Sequence, residues 1–152
     1  MFIPNLYFYT KEKDMGLIYA EIEIINSADI TMAKRGFIDI DDIKKIRVNA
    51  LVDTGSYYLA INENIQEYLQ LPFIEKRNVK LANEGRISCD VVGPVEVRFK
   101  NRKAGCTAVV LPGDSEILLG AIPLEEMDVV INPLRQELDV NPNNPECATF
   151  RM

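Results

Sequence analysis

The sequence has no histidine. That absence removes Ser-His-Asp and Cys-His nucleophilic sites and argues against most zinc centres. Any catalysis must therefore rest on Asp, Glu, Lys, Tyr, Ser or Cys. Cysteine is scarce. Cys89, Cys106 and Cys147 are odd in number and show no C-x-x-C spacing, so they read as reduced thiols rather than a disulfide framework or a metal knuckle. Long basic runs are missing, and the net charge is −6, which speaks against nucleic acid as a partner. No apolar run reaches the length of a membrane span. Residues 1–9 are apolar and aromatic but short, interrupted by Pro4 and Asn5, and unlike a signal peptide. These absences together suggest a soluble, cytoplasmic protein with no membrane partner.

What remains is an ordinary globular composition, 47% hydrophobic and 26% charged over 152 residues. That length suits one domain and is enough to bury a core without disulfides. Residues 1–14 read as an extension ahead of a domain spanning 15–140. Residues 141–152, with Pro142 and Pro145, read as a tail that is loose or packs on a partner.

Within the domain the text is rich in short strands. Residues 17–25 alternate Ala20, Ile22 and Ile24 with Glu21 and Glu23, the period of a half-buried strand. A strand over 46–52 leads directly into Asp53-Thr54-Gly55, and a brief strand over 59–61 follows. Asn62 caps a helix that begins at Glu63 and stops before Pro72. Residues 79–82 and 87–92 form a hairpin around Asn83-Glu84-Gly85-Arg86. Further strands are expected at 95–99, 106–111, 117–119, 129–131 and 137–140, with a turn or two of helix at 123–127. Residues 26–45 read as polar and charged, with room for a short strand at 36–40. Many short strands with little helix predict an all-β barrel or sandwich.

Asp53-Thr54-Gly55 is the sharpest chemical feature. An Asp at the end of an apolar strand can share a water with a second carboxyl. Gly55 permits a tight turn that brings backbone N–H groups to the carboxylate. Thr54 offers a hydroxyl that can bond across a two-fold axis, and Ser56 one that can reach the outer oxygen of Asp53. A tripeptide alone is weak evidence, since an Asp also begins many ordinary turns. The ordered series that follows is more specific. It comprises Ala50-Leu51-Val52-Asp53-Thr54-Gly55-Ser56, then Leu81-Ala82-Asn83-Glu84-Gly85-Arg86, then Leu118-Leu119-Gly120, then Pro123-Leu124-Glu125-Glu126-Met127, and finally Val129-Val130-Ile131-Asn132-Pro133.

This series resembles the retropepsin-like aspartic proteases, above all the small prokaryotic relatives of the retroviral enzymes. The resemblance covers about residues 15–140. It implies a retropepsin-like acid-protease fold: a closed, all-β barrel with one or two short helices, assembled as a homodimer. It implies an aspartic endopeptidase acting on a polypeptide substrate without a cofactor or metal. Asp53, Thr54 and Gly55 would form the catalytic loop. Ser56 and the flap residues Ala82, Asn83, Glu84, Gly85 and Arg86 would meet substrate. Leu118, Leu119 and Gly120 would brace the loop from below. Only one Asp-Thr-Gly is present, so a two-carboxylate site needs a second chain on a two-fold axis.

Two departures from the retroviral pattern occur together. An Arg usual after the hydrophobic-hydrophobic-Gly segment is Ala121 here, and an Asp usual after the triplet is Tyr57. The flap tip also lacks a run of glycines. Two further readings therefore stand beside the protease: an inactive peptide-binding module of the same fold, and a protease regulated by residues 1–14. Asp39-Ile40-Asp41-Asp42 lacks the glycine and closing Glu of a calcium loop and reads as a solvated acidic turn. Tyr57 and Tyr58 read equally as subsite walls or core aromatics.

Overall fold

The computed structural model describes residues 16–152; the expected extension at 1–14 lies outside them. Nine strands and three α-helices follow in chain order: β1 (Tyr19–Asn26), α1 (Ser27–Lys34), β2 (Lys45–Val52), β3 (Leu59–Asn62), α2 (Glu63–Leu69), β4 (Phe73–Lys80), β5 (Arg86–Phe99), β6 (Arg102–Leu111), β7 (Leu118–Leu119), α3 (Ala121–Met127), β8 (Val129–Asn132) and β9 (Glu137–Val140). Six strands close a ring in the order β1-β2-β7-β3-β6-β5, with β5 returning to β1 through Ile24↔Val97 and its neighbours. The result is the expected closed, mostly β barrel, with one helix more than the sequence suggested. Strand β4 hangs on β5 outside the ring, and β8 and β9 pair only with each other.

The alternation read from the sequence is what closes the barrel. Along β1, Ala20, Ile22 and Ile24 point inward while Tyr19 and Glu21 are exposed. They meet Val95 and Val97 of β5, Leu59 and Ile61 of β3, and Leu119 of β7 in one continuous core. Each fully buried Ile or Leu contributes about 1.5–3 kcal/mol relative to exposure. Helix α3 closes one end of the core with Leu124 and Met127.

Caps fix the helices. The Asn62 side chain accepts from Ile65 N–H at 2.8 Å, the expected N-cap of α2, and its amide donates to the Ser115 carbonyl at 2.9 Å. The helix ends at Leu69, before Pro72, because Gln70 takes a left-handed conformation at φ 50°. Asn26, 3% exposed, caps α1 by accepting from Asp29 N–H at 3.1 Å and also donates to the Leu69 carbonyl at 2.9 Å. One buried amide thus joins the start of α1 to the end of α2.

Three expectations need correction. Residues 27–34 are helical, where only a polar, charged stretch was read; α1 buries none of its residues, so no apolar stripe announced it. Residues 36–40 form no strand: Ile40–Asp42 is a 3-10 turn, in which Asp42 accepts from Asp39 N–H at 3.3 Å. The tail is not loose but is bonded to its own domain. Asp128 Oδ1 accepts from the Asn141 amide (3.0 Å), and Asp128 Oδ2 accepts from the Asn144 amide (2.8 Å) and Thr149 N–H (3.1 Å). The guanidinium of Arg102, 2% exposed, donates to the Asn144 carbonyl. Burial pushes the Asp128 carboxyl up, but the three donors and the nearby Arg102 charge outweigh it and hold the group below its ordinary value.

Candidate active site

The Asp53 loop leaves the barrel where β2 stops pairing with β1. Leu51 N–H donates to the Ile117 carbonyl, Val52 N–H to the Ile18 carbonyl, both at 2.8 Å, and Asp53 N–H to the Leu119 carbonyl at 3.0 Å. The catalytic candidate is therefore clamped between β1 on one side and β7 on the other. Its carboxylate is half-buried, and Oδ1 accepts from Gly55 N–H at 3.0 Å. Ser56 N–H donates back to the Asp53 carbonyl at 3.1 Å. This is the tight turn that Gly55 was expected to allow.

Ser56 behaves differently from expectation. Its hydroxyl donates to the Tyr58 carbonyl at 3.3 Å, not to Asp53. The Thr54 hydroxyl is buried and has no hydrogen-bond partner among the described residues. A buried, unpaired hydroxyl costs about 1–3 kcal/mol.

Gly120 supplies the brace. A Cβ built there would lie 2.4 Å from the Tyr58 carbonyl oxygen, 2.7 Å from that of Ser56 and 2.8 Å from the Tyr57 carbonyl carbon. The loop after the triplet rests directly on the Gly120 backbone. The start of α3 then ties it down: Ala121 N–H donates to the Ser56 carbonyl (2.8 Å) and Ile122 N–H to the Tyr57 carbonyl (2.9 Å). Sequence reasoning placed Leu118-Leu119-Gly120 under the loop, and this contact is its physical form.

The flap candidates sit elsewhere in the chain but on one hairpin. Ala82 to Gly85 form the tip between β4 and β5, and Arg86 opens β5. Leu81 N–H donates to the Gly85 carbonyl (2.8 Å), Glu84 N–H to the Leu81 carbonyl (3.0 Å), and Gly85 N–H to the Asn83 side chain (2.9 Å). Glu84 takes the left-handed conformation at φ 69° and pairs with Lys80 at 3.2 Å. The hairpin approaches the loop through Arg77 of β4, whose Nη1 lies 3.5 Å from the Tyr58 hydroxyl while its Nε donates to Glu75 at 2.7 Å.

Tyr57 and Tyr58 are exposed rather than core aromatics. Tyr58 borders a small cavity of about 150 Å³ together with Leu59, Gly105, Cys106, Thr107, Ile122 and Pro123. Cys106 in its wall is inert, since burial and then the Glu126 charge push its thiol up to about 12. Cys89 is buried and Cys147 exposed, and all three cysteines are free. Among the described residues, no cluster of three or more His, Cys, Asp or Glu is placed to hold a metal. No described helix is long and apolar enough to cross a membrane.

A closed barrel with an Asp-Thr-Gly loop set on a buried glycine has the architecture of a retropepsin-type acid protease domain. A family model described as aspartyl protease matches residues 38–122, more than half of the chain. The matched stretch runs from just before β2 through the Asp53 loop, α2, the β4–β5 hairpin, β6 and Gly120 to the start of α3. The chain belongs to the retropepsin-like aspartyl protease family. A search of curated proteins returns no match.

Proposed function

We propose that the chain is an aspartic endopeptidase whose active site forms when two copies bring their Asp53 carboxylates together. The observation that carries this reading is the Asp53 turn itself: a half-buried carboxylate, bonded by Gly55 N–H and fixed between β1 and β7, in a chain of the aspartyl protease family. Two carboxyls in contact cannot both ionise cheaply, so one proton is shared between them, as in aspartic proteases generally. The ionised Asp53 takes a proton from a bound water. The resulting hydroxide adds to the scissile carbonyl carbon while the protonated Asp53 gives its proton to the carbonyl oxygen. Collapse of that tetrahedral intermediate expels the amine, which leaves with a proton returned by the pair. The two roles exchange by symmetry.

In this reading Thr54 grips the loop of the other copy, which supplies the partner its hydroxyl lacks. Gly55 keeps an N–H on the carboxylate. Ser56 and Ala82, Asn83, Glu84, Gly85 and Arg86 meet an extended substrate that bonds like an added strand, with side-chain pockets setting preference.

The test is cleavage of a mixed denatured-protein and peptide library from acidic to neutral pH, at several protein concentrations. Wild type is expected to cut with specific activity that rises with concentration. Asp53→Asn is expected to lose roughly 10²–10⁴-fold or more in rate. If folded, dimeric wild type cuts nothing under any condition, the protease reading falls and a peptide-binding module replaces it.

A further inference from the structure

We infer that Arg77 is a specificity-determining residue, which selects an acidic side chain in a peptide lying between the β4–β5 hairpin and the Asp53 loop. The inference rests on the substrate path proposed above and names the class of peptide that path takes.

Pairing of β4 with β5 sorts the hairpin's side chains onto two faces. Glu75, Arg77 and Val79 stand opposite Val91, Cys89 and Ile87, while Lys76 stands opposite Asp90. Cys89 and Val91 are buried, so the Arg77 face turns toward the body of the domain. Lys76 pairs with Asp90 at 2.8 Å on the other face. Tyr58 fixes what the Arg77 face looks onto. Its carbonyl belongs to the loop that rests on Gly120 and accepts from the Ser56 hydroxyl. Its own hydroxyl lies 3.5 Å from Arg77 Nη1. Among the described residues this is the one side-chain hydrogen bond by which β4 reaches beyond its hairpin.

The chemistry on that face favours an acid. A guanidinium carries five N–H donors in a fixed fork. The bonds to Glu75 and Tyr58 use Nε–H and one donor of Nη1. The remaining donors, on Nη1 and Nη2, stay open among the described residues, and they are the edge that a carboxylate takes in a two-pronged pair. The loop below offers no competing acid, because no Asp or Glu stands between Asp53 and Glu63; Arg77 meets a neutral phenol there. Glu75 offsets part of the charge, but it does so from the Nε side. Both members of that pair are about half-exposed, where ion pairs are weak. A peptide Asp or Glu passing this point gains charge-assisted bonds that Asn or Gln would make only weakly, and Lys or Arg would be repelled.

The experiment is peptide selection with the full chain carrying Asp53→Asn, so its outcome does not depend on cleavage. The probe is a bead library of random linear peptides. Bound peptides are expected to carry Asp or Glu over Asn or Gln by roughly 10-fold at a fixed position, an excess that shrinks in high salt. Adding Arg77→Gln should abolish the excess, and Arg77→Glu should replace it with Lys and Arg. Lys76→Gln is the control, because Lys76 is the next residue but lies on the opposite face; it should leave the excess unchanged. Far-UV circular dichroism checks that each variant is folded. The inference is overturned if no peptide binds, if the bound peptides show no acidic position, or if the excess survives Arg77→Gln. It is also overturned if Lys76→Gln removes the excess as fully as Arg77→Gln does. The selected peptides are then given to the wild type. Acidic selection through Arg77 in a protein that cuts none of them would uphold the role of Arg77 and sink the protease.

Discussion

Replacing Gly120 with alanine adds a single methyl group at a place where the Asp53 loop cannot give way. The new Cβ would stand 2.4, 2.7 and 2.8 Å from backbone atoms of Tyr58, Ser56 and Tyr57. All three are closer than packed carbon and oxygen tolerate, and none belongs to a flexible side chain. Relief requires moving the loop, yet Ala121 and Ile122 N–H hold its carbonyls at 2.8 and 2.9 Å. Overpacking costs about 1–3 kcal/mol in most cores, and the backbone nature of every contact places this case near about 3 kcal/mol. For a chain of this size that loss lowers Tm by roughly 6–12 °C. Displacing Asp53 by a fraction of an ångström to an ångström would cost cleavage about 100-fold in addition. Thermal melts followed by circular dichroism read the first effect, and the library cleavage assay reads the second. Gly105→Ala is the matched control, because nothing lies within 4 Å of its added Cβ; its stability should change by no more than about 0.5 kcal/mol. A Gly120→Ala protein that melts and cuts like wild type would refute the brace.

Asn26→Ala should destabilise the fold by about 2–3 kcal/mol, since it removes the α1 cap and strands the buried Leu69 carbonyl; urea denaturation checks this, and an unchanged midpoint would contradict it. Asp128→Asn should loosen the tail and cost about 1–2 kcal/mol at neutral pH, a figure reduced because the carboxylate is only half-buried. Its folded pKa is lowered, so its contribution is fully present above the unfolded value of 3.8 and fades as pH falls through the folded one. The wild-type advantage should therefore hold from pH 7 to about pH 5 and shrink below about pH 4; an advantage that grew with acid would be inconsistent with the latch.

The parts of the fold that were legible in the sequence are those with one face in the core. β1 could be read because Ala20, Ile22 and Ile24 are buried between exposed neighbours. The tight turn at Asp53 could be read because Asp53, Thr54 and Gly55 are contiguous and follow an apolar strand. Helix α1 could not, since it has no buried residue; only Asn26 at its cap, Asp29 in its first turn and Lys34 in its last hinted at it. Most of β4 was missed for the same reason: its residues are exposed apart from the half-buried Val79, and Glu75, Lys76 and Arg77 look like loop. β5 was read as two strands because Gly93-Pro94 resembles a break, whereas a register shift between Val92 and Val95 carries one strand through it.

Strand β5 belongs to two structures at once. Its first half forms the hairpin with β4, and its second half is a stave of the barrel that meets β1. The hairpin is thus an overhang of the barrel rather than a separate part. Side chains alternate faces along a strand, so lengthening both arms by two residues near Ala82–Gly85 would extend the overhang and leave every barrel residue on its own side. Adding one residue would turn over the faces of everything between the insertion and the next bulge. Variation in the reach of this hairpin among descendants of the chain should therefore come in even steps, with the barrel as the fixed ruler against which those steps are counted.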